Sequence, residues 1–267
     1  MGNMIGFFGV GNMGGALAQA AARSIDPSCL LLADRDTAKA QALADALGCR
    51  AADNRTVAES CDLLFLGVKP QVIGALLAEL SPILAARQTP FTLVSMAAGV
   101  QMATVRALAG ADYPVIRIMP NTPASVGQGM ILYDHTENVD EAALSLFRTV
   151  LARAGRLDPL PEHLIDAGCA VTGCGPAFVD LFLEALADGG VLCGLPRDKA
   201  LTYAAQMVLG SAALALERAS HPGVLKDAVC SPGGSTIVGV QTLERRAFRS
   251  AVIDAVEAAY HKTQALG

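Results

Sequence analysis

A glycine-rich turn close to the start of the chain constrains the fold more strongly than any other feature. Residues 9–14 read Gly-Val-Gly-Asn-Met-Gly, directly after the apolar stretch Ile5–Phe8 and before an Ala-rich helical pattern. Gly-x-Gly-x-x-Gly binds the pyrophosphate of a dinucleotide when a strand leads into it and a helix leads out of it. Asp34 follows Gly14 by 20 positions (34 − 14), at the end of a second apolar stretch, where an acid meets the ribose hydroxyls of adenosine. The pattern therefore predicts a dinucleotide-binding fold.

Short apolar stretches alternate with helical patterns through the first 160 residues. Such alternation is typical of βαβ units around a parallel sheet, and nearly all-apolar strands indicate that helices cover both faces. Beyond Pro161 the strand patterns end and helical periodicity takes over. The sequence thus predicts an α/β fold, with a Rossmann-type parallel-sheet domain at residues 1–160 and an all-helical domain at residues 161–267. The predicted strands are Ile5–Phe8, Cys29–Ala33, Leu63–Leu66, Phe91–Ser95, Val115–Met119, Met130–Tyr133 and Gly155–Asp158, and the predicted helices are Gly11–Arg23, Thr37–Leu47, Gln71–Leu84, Met102–Leu108, Asp140–Ala154, Pro176–Cys193, Pro196–Ser220, Ser235–Leu243 and Ala247–Leu266.

The composition argues against several classes of protein. A formal net charge of −5, with no run of Lys and Arg, disfavours a nucleic-acid partner. No stretch approaches the ~18 consecutive apolar residues of a membrane span, and the N-terminus lacks the basic region of a signal peptide. Seven Cys without a C-x-x-C pair and four scattered His predict neither a disulfide framework nor a metal site. We therefore expect a cytoplasmic protein with reduced thiols and without a metal, a membrane partner or a nucleic-acid partner.

Three further loops follow predicted strands at their carboxyl ends, where ligands bind in such sheets. They are Gly67–Pro70, Met96–Gly99 and Pro120–Pro123. Small residues and prolines in these loops can form rigid walls close to a flat ring, and Asn121 and Thr122 add polar groups. Any one of these loops, taken singly, is equally well explained as an ordinary turn.

A hydroxyl-rich and glycine-rich loop, Ser231–Thr236, precedes a helical pattern in the second domain. Free backbone N–H groups at such a helix start, together with the helix dipole, can hold a carboxylate. The alternative is a helix N-cap in which Ser235 or Thr236 caps the helix, and the residues alone favour this alternative. A second small-residue turn, Thr172–Pro176, is attributed to close helix packing. A stripe of acids at helical spacing could supply an acid pair for proton transfer, but it is attributed to a solvated or partner-facing surface. Its members are Asp180, Glu184 and Asp188.

Taken together, these loops resemble the pyrroline-5-carboxylate reductase family, from about Ile5 to about Thr263. Two strings are specific to that family and occur here in the family's order, namely Met-Pro-Asn-Thr-Pro at 119–123 and Ser-Pro-Gly-Gly-x-Thr at 231–236. The resemblance implies a helical domain that dimerises, and homodimers that assemble into larger rings such as a decamer. It also implies reduction of 1-pyrroline-5-carboxylate to L-proline, the last step of proline biosynthesis, by hydride transfer from NADP(H) or NAD(H) to the imine carbon.

The same resemblance assigns residues to the site. The family's threonine at position 236 contacts the imine nitrogen, so Thr236 is the expected catalytic residue, which orients or helps to protonate that nitrogen. The expected substrate-binding residues are Ser231, Gly233, Gly234, Ser235 and Thr236. The expected cofactor-binding residues are Phe8, Gly9, Val10, Gly11, Asn12, Met13, Asp34, Arg35, Asn54, Gly67, Val68, Lys69, Pro70, Met96, Ala97, Ala98 and Asn121.

Departures from the family pattern leave two questions open. Cys174 and Phe178 stand where the family usually has Ser and Tyr, so an essential role for that tyrosine hydroxyl does not carry over. Asp34 replaces the smaller polar residue of many members and would repel a 2′-phosphate, whereas the adjacent Arg35 could pair with one. NADP(H) and NAD(H) therefore both remain candidates, and only the family resemblance favours NADP(H).

Two other functions fit parts of the pattern. A 3-hydroxyacid dehydrogenase of the same architecture generally needs an acid–base Lys early in its second domain, and residues 168–195 contain none. A non-catalytic Rossmann protein that senses the nucleotide ratio would have a degraded substrate loop, whereas Ser231–Thr236 is complete. Both alternatives are therefore less favoured than the reductase.

Overall fold

The computed structural model describes residues 2–265 and contains one eight-stranded sheet and twelve α-helices within that range. The strands are β1 (Ile5–Phe8), β2 (Leu30–Ala33), β3 (Arg50–Ala51), β4 (Leu63–Leu66), β5 (Thr92–Ser95), β6 (Val115–Met119), β7 (Gly129–His135) and β8 (Gly155–Pro159). The helices are α1 (Asn12–Ser24), α2 (Thr37–Leu47), α3 (Asn54–Ser60), α4 (Pro70–Ala86), α5 (Met102–Ala109), α6 (Glu141–Val150), α7 (Glu162–Thr172), α8 (Gly175–Leu192), α9 (Arg197–Arg218), α10 (Pro222–Ala228), α11 (Ser235–Arg245) and α12 (Phe248–Gln264).

The strand order is β3-β2-β1-β4-β5-β6-β7-β8, and every neighbouring pair is parallel except β6 and β7. The predicted Rossmann-type parallel sheet is therefore confirmed for the first six strands. β7 reverses direction because only the short connection around the 3-10 turn Thr122–Val126 joins it to β6. A parallel crossover needs a dozen residues or more, so this connection can form only an antiparallel neighbour. β8 then pairs in parallel with β7.

Two apolar clusters cover the opposite faces of the sheet. Phe7 belongs to one cluster and the adjacent Phe8 to the other, since successive strand side chains point to opposite faces. On the first face the ring of Phe7 stacks on that of Phe65, with 4.5 Å between centroids. Every residue of β1, β2, β4, β5 and β6 is buried. This burial explains why the strands are nearly all apolar in sequence.

Four short elements were not predicted, namely β3, α3, α7 and α10. β3 has two residues and α3 seven, too few for a periodic pattern to emerge. α7 carries a glycine, Gly168, in its interior, which weakens its intrinsic helical preference. Packing of Ile165 and Cys169 against Met119 and Leu132 supplies the missing stability. By contrast, the predicted end of the helix Thr37–Leu47 is confirmed, because the next residue, Gly48, adopts the left-handed conformation that stops α2.

The described chain divides into two compact units. We call the residues up to Cys174, together with those from Ala259 onward, the sheet unit, and Gly175–Ala258 the helical unit. The predicted domain boundary near residue 160 marks where strands end, and α7 lies on the sheet-unit side of the division. In the helical unit α8 packs on α9, and the Phe182 and Phe248 rings lie 5.9 Å apart.

Two stretches of the described chain are long and apolar enough to cross a membrane, judged by length and composition alone. They are Glu162–Leu192 and Arg197–Arg218, and only 11% of the most apolar window of each is buried within the chain. Charged or polar residues interrupt both, such as Asp180 and Glu184 in the first and Gln206 in the second, which is why a search for uninterrupted apolar runs does not find them. Both apolar surfaces are therefore largely uncovered within the single chain.

Candidate functional site

Four loops lie side by side along the carboxyl edge of the sheet. The strands β1, β4, β5 and β6 are consecutive parallel neighbours, so the segments that follow them emerge at the same edge. These segments are residues 9–14, 67–70, 96–99 and 120–123, the four loops that the sequence singled out. The structure thus brings together the loops predicted to hold the cofactor.

Close backbone packing shapes the glycine loop. Gly9 has a φ of +90°, and its N–H donates to the carbonyl oxygen of Ala33 at 2.7 Å, which joins the ends of β1 and β2. A Cβ on either Gly14 or Gly67 would collide with the carbonyl oxygen of Gly9. Only glycine at these three positions allows α1, the loop after β4 and the glycine loop to approach so closely.

The first turn of α1 is open to an anion. Gly11 is the N-cap residue of α1, and no side chain hydrogen-bonds to this helix start. No acid occupies the first turn, and a Cβ on Gly11 would meet no atom within 4 Å. Unpaired N–H groups, the positive end of the helix dipole and open space above Gly11 are the features that bind a pyrophosphate. The residues present therefore fit a dinucleotide.

Asp34 is tied to the backbone on both sides. Its Oδ2 accepts a hydrogen bond of 2.8 Å from the N–H of Val10, within the glycine loop. Its Oδ1 accepts one of 3.0 Å from the N–H of Asp36. The neighbouring Arg35 is exposed. The carboxylate predicted to meet the adenosine ribose therefore also fixes the conformation of the glycine loop.

Two other predicted cofactor residues lie at helix starts. Lys69 is the N-cap residue of α4, which has Pro70 at its first position and no side-chain cap. Asn54 is the first residue of α3, and its Nδ2 donates to Oε1 of Glu79 at 3.0 Å. Asn54 thus already has one internal partner at the start of α3.

Small side chains form the wall after β5. Ala97 is buried, and Met96 and Ala98 are partly buried. Gly99 turns the chain at a φ of +77°. A wall of this kind offers flat apolar surface to a ring and no ionisable group.

Asn121 is buried, and the protein itself uses both ends of its carboxamide. Nδ2 donates to the carbonyl oxygen of Thr172 at 2.9 Å, and Oδ1 accepts from the N–H of Met130 at 2.9 Å. Asn121 thus joins the loop after β6 to β7 and to the last residue of α7. Its predicted contact with a cofactor remains a prediction, and its amide has an internal role besides.

Sequence reasoning missed a buried ion network centred on Arg117 in β6. Only 1% of its side chain is exposed, and it pairs with Asp166 at 2.6 Å and Glu162 at 3.4 Å. Glu162 Oε1 also accepts from the N–H of Met102, at the start of the helix that follows the 96–99 loop. The Glu162 N–H donates to Asp134 at 2.6 Å. An Arg within an otherwise apolar strand, with two acids four positions apart in α7, was the available signal.

The loop predicted to bind substrate lies in the helical unit and opens α11. Gly233 has a φ of +68°, and the Gly234 N–H donates to the carbonyl oxygen of Ser231 at 3.0 Å. The N-cap residue is Gly234, and no side chain caps the helix, so Ser235 and Thr236 do not play the capping role that the residues alone favoured. Both hydroxyl residues are exposed. The uncapped helix start leaves backbone N–H groups for an anion.

The acidic stripe on α8 is exposed along its length within the chain. Asp180 and Glu184 face solvent, and Asp188 pairs with Arg197 at 2.6 Å in an exposed ion pair. Exposed pairs of this kind contribute little to stability. The stripe thus agrees with a solvated or partner-facing surface.

Two thiols lie close together near the turn before α8, that of Cys169 in α7 and that of Cys174 in the turn itself. The Cys174 N–H donates to the carbonyl oxygen of Cys169 at 3.0 Å. Burial raises the pKa of the Cys169 thiol to about 11, so Cys169 remains protonated at neutral pH. Phe178, which follows in α8, is half-buried.

Two open grooves lie on the sheet unit, and neither is a closed active-site cavity. One of about 460 Å³ runs between α1 and α2 beside the glycine loop, and Gly11, Asn12 and Lys39 line part of it. The larger, of about 700 Å³, lies along α5 and the end of β7, and it contains none of the predicted site residues. Among residues 2–265, no group of three or more His, Cys, Asp and Glu could hold a metal ion.

Comparison with known proteins agrees with this arrangement. Residues 162–266 match the family model described as pyrroline-5-carboxylate reductase dimerisation, and residues 4–99 match NADP oxidoreductase coenzyme F420-dependent. The pyrroline-5-carboxylate reductase of Escherichia coli strain K12 is 38% identical, over 98% of this chain and 97% of its own length. That of Synechocystis is 45% identical, over 80% of this chain and 79% of its own length.

A solved structure extends the similarity to three dimensions. The pyrroline carboxylate reductase of Plasmodium falciparum, solved with NADP bound, has a TM-score of 0.89 and 31% identity, and the match covers 99% of this chain and 98% of that one. Sequence identity, family models and fold thus agree over nearly the whole chain, and together they establish that it belongs to the pyrroline-5-carboxylate reductase family.

Proposed function

We propose that this chain reduces 1-pyrroline-5-carboxylate to L-proline, the last step of proline biosynthesis, with NADPH or NADH as the reductant. Family membership over 98% of the chain carries this proposal. The uncapped start of α1 and the uncapped start of α11 support it, since one suits a pyrophosphate and the other a carboxylate. The reaction needs both anions to be held.

The dinucleotide would be held along the carboxyl edge of the sheet. Its pyrophosphate would lie on the N–H groups after Gly11, and its adenosine ribose near Asp34. The nicotinamide ring would lie against the wall formed by Met96, Ala97 and Ala98, near the loop of Asn121. When bound in its reduced form, the cofactor supplies the hydride.

The substrate is a cyclic imine that carries a carboxylate. The N–H groups of Gly234, Ser235 and Thr236 would hold the carboxylate, and the Thr236 hydroxyl would orient or help to protonate the imine nitrogen. A protonated imine readily accepts hydride, so the chain needs little further acid–base chemistry. Positioning of the imine supplies most of the rate enhancement.

We also propose that the helical unit mediates assembly into a homodimer, and that dimers build a larger ring such as a decamer. The family model that matches residues 162–266 describes dimerisation, so the exposed apolar surfaces of α8 and α9 support contact with a second copy. The net charge of −5 gives no support for a nucleic-acid partner. A cytoplasmic location agrees with seven free cysteines.

Oxidation of NADPH and NADH by the purified protein tests the proposed reaction. Each cofactor is supplied with 1-pyrroline-5-carboxylate, with the six-membered ring imine, or with no imine, and proline formation is measured in parallel. We expect imine-dependent oxidation of at least one cofactor and stoichiometric proline. No rate with either cofactor would contradict the proposal, and would favour a nucleotide sensor or a different imine.

The role of Thr236 is tested by Thr236→Val, with Thr242→Val as the matched control on the same helix. The Thr242 hydroxyl donates to the carbonyl oxygen of Val238 and lies one to two turns further along α11. We expect Thr236→Val to lower kcat by roughly 10²-fold and the control to leave it nearly unchanged. Unchanged turnover in Thr236→Val would exclude the proposed role of its hydroxyl.

A further inference from the structure

The turn from β2 into α2 carries four charged side chains within six positions, Asp34, Arg35, Asp36 and Lys39. We propose that the two acids make the adenosine end of the cofactor site select a free 2′-hydroxyl, so that NADH is preferred over NADPH. This inference rests on the proposed function, because it concerns which reductant the same site selects.

The Asp34 carboxylate cannot easily move away from an incoming phosphate. The Val10 N–H holds one of its oxygens at 2.8 Å, and the Asp36 N–H holds the other at 3.0 Å. Turning the side chain outward would break both hydrogen bonds and leave the N–H of the buried residue Val10 without its partner. Asp34 therefore presents a fixed negative charge at the end of β2.

The hydrogen-bonding capacity left on Asp34 suits a hydroxyl. An ionised carboxylate only accepts hydrogen bonds and has about four lone-pair positions. Two of these are occupied, so the remaining ones can accept from ribose O–H groups. A 2′-phosphate offers acceptors and a charge of about −1.5 to −2 at neutral pH. It would therefore face both repulsion and a lack of donors.

Asp36 already occupies the helix start at which such a phosphate could be held. It is the N-cap residue of α2, and its Oδ1 accepts from the Lys39 N–H at 3.1 Å. The Asp36 carboxylate thus already accepts a hydrogen bond from the start of α2 and interacts with the positive end of its dipole. α1, in contrast, has no acid and no cap at its start. The pyrophosphate end of the site is open to an anion, and the 2′ end is not.

Arg35 and Lys39 could offset the two acids, and the four formal charges sum to zero. Both cations are exposed, and neither forms an ion pair within residues 2–265. Each would lose rotamer freedom on binding a phosphate, whereas both carboxylates are already held in place. Fixed acids therefore outweigh mobile cations at the 2′ position.

The test compares NADH and NADPH in two measurements. The first is kcat/KM with saturating 1-pyrroline-5-carboxylate, and the second is binding of each reduced dinucleotide followed by nicotinamide fluorescence. We expect the unmodified protein to favour NADH by at least about tenfold. Asp34→Ser should move the ratio toward NADPH by about tenfold or more, and Asp36→Ser by about threefold. Arg35→Ala should weaken NADPH alone, and Asp45→Ser, an exposed acid further along α2, should leave the ratio unchanged.

Asp34→Asn keeps the size of the side chain and removes the charge, so it tests the proposal even where Asp34→Ser unfolds. A preference for NADPH in the unmodified protein would overturn the inference. So would an unchanged ratio in both Asp34 variants, because it would mean that Asp34 only shapes the loop. Binding that discriminates between the dinucleotides without imine reduction would support this inference and contradict the proposed function. Imine reduction at equal rates with NADH and NADPH would support the proposed function and contradict this inference.

Discussion

In the sheet unit every residue of five strands is buried, whereas in the helical unit only three residues are buried, and all three are alanines. They are Ala187, Ala200 and Ala204. α10 and α11 contain no buried residue, and large apolar side chains such as Leu192, 89% exposed, face outward. The sheet unit therefore carries its own core, whereas the helical unit has apolar faces that the single chain leaves uncovered.

The polar groups of the two units differ in the same way. In the sheet unit Arg117 and Asn121 are buried, and their partners are side chains and backbone of the same unit. In the helical unit the ion pairs are exposed, as for Arg197 with Asp188 and Lys226 with Asp227. The family model that matches residues 162–266 describes dimerisation. We therefore expect the helical unit to complete its burial on assembly.

The largest expected effect compares two phenylalanines. Phe65→Ala removes a buried ring that stacks on Phe7, and it should lower the free energy of unfolding by about 3–5 kcal/mol. Phe248→Ala removes a ring that is 40% exposed in the single chain, and should cost about 1 kcal/mol at concentrations where the chain is monomeric. Denaturant unfolding over a range of protein concentrations measures both. Equal losses of unfolding free energy for the two variants in the monomer would contradict the proposed difference between the two units.

A smaller effect is expected at Asn121. It tests how much the hydrogen bonds of a buried polar side chain stabilise the sheet unit. Asn121→Ala leaves the carbonyl oxygen of Thr172 and the N–H of Met130 without their partner, and should lower the free energy of unfolding by roughly 1–3 kcal/mol. Gln128→Ala, at a nearby exposed position, is the control and should change it by less than about 0.5 kcal/mol. Equal changes in the two variants would show that water replaces the Asn121 carboxamide.

Assembly should respond to charge on the helical unit alone. Leu216→Glu places a carboxylate on an apolar surface that is 76% exposed in the single chain, and should raise the dimer dissociation constant at least about tenfold. Val126→Glu, at a position 72% exposed in the sheet unit, should leave the constant unchanged. Light scattering across a dilution series measures both. A larger effect of Val126→Glu would indicate that the interface lies on the sheet unit, which would contradict the proposal.

The smallest expected effect is an alkaline loss of stability that depends on Cys61. Burial raises the pKa of this thiol to about 12, above the value near 9 of an unfolded cysteine. The folded state therefore keeps the proton while the unfolded state loses it, and stability falls as the pH rises from about 9 toward 12. At pH 10 the loss should be roughly 1 kcal/mol. Cys61→Ala should reduce this slope and leave the part that comes from Cys169, whose pKa burial raises to about 11. Cys193→Ala, at an exposed thiol, should keep the whole slope. An identical slope in all three proteins would exclude a contribution from Cys61.

Much of the sheet unit follows from local sequence, because a strand buried on both faces must be apolar and a glycine loop must follow β1. The parts that sequence reasoning missed depend on contacts between distant residues. Arg117 pairs with Asp166, 49 positions away, and Asn121 bonds to Thr172, 51 positions away. The reversal of β7 depends on the length of one connection. None of these features has a local periodicity from which it could be recognised.

The candidate site divides in the same manner. The four loops at the sheet edge were predictable because parallel neighbours share an edge. That the Asp34 carboxylate is bonded to Val10 and Asp36 was not, since a residue type does not reveal where its hydrogen bonds go. The absence of a side-chain cap at Ser231–Thr236 also needed coordinates, because the residues alone favoured a capped helix.

The position of the Gly9 carbonyl oxygen affects how this chain tolerates substitutions of the neighbouring glycines. Gly14 and Gly67 are far apart in sequence, yet a side chain at either would displace the same oxygen atom. A substitution at either position therefore disturbs the same part of the glycine loop. Once one substitution has displaced the oxygen, the second has less further effect on the loop. A double variant should be far less impaired than the sum of its single variants, so these glycines behave in a mutational scan as one site.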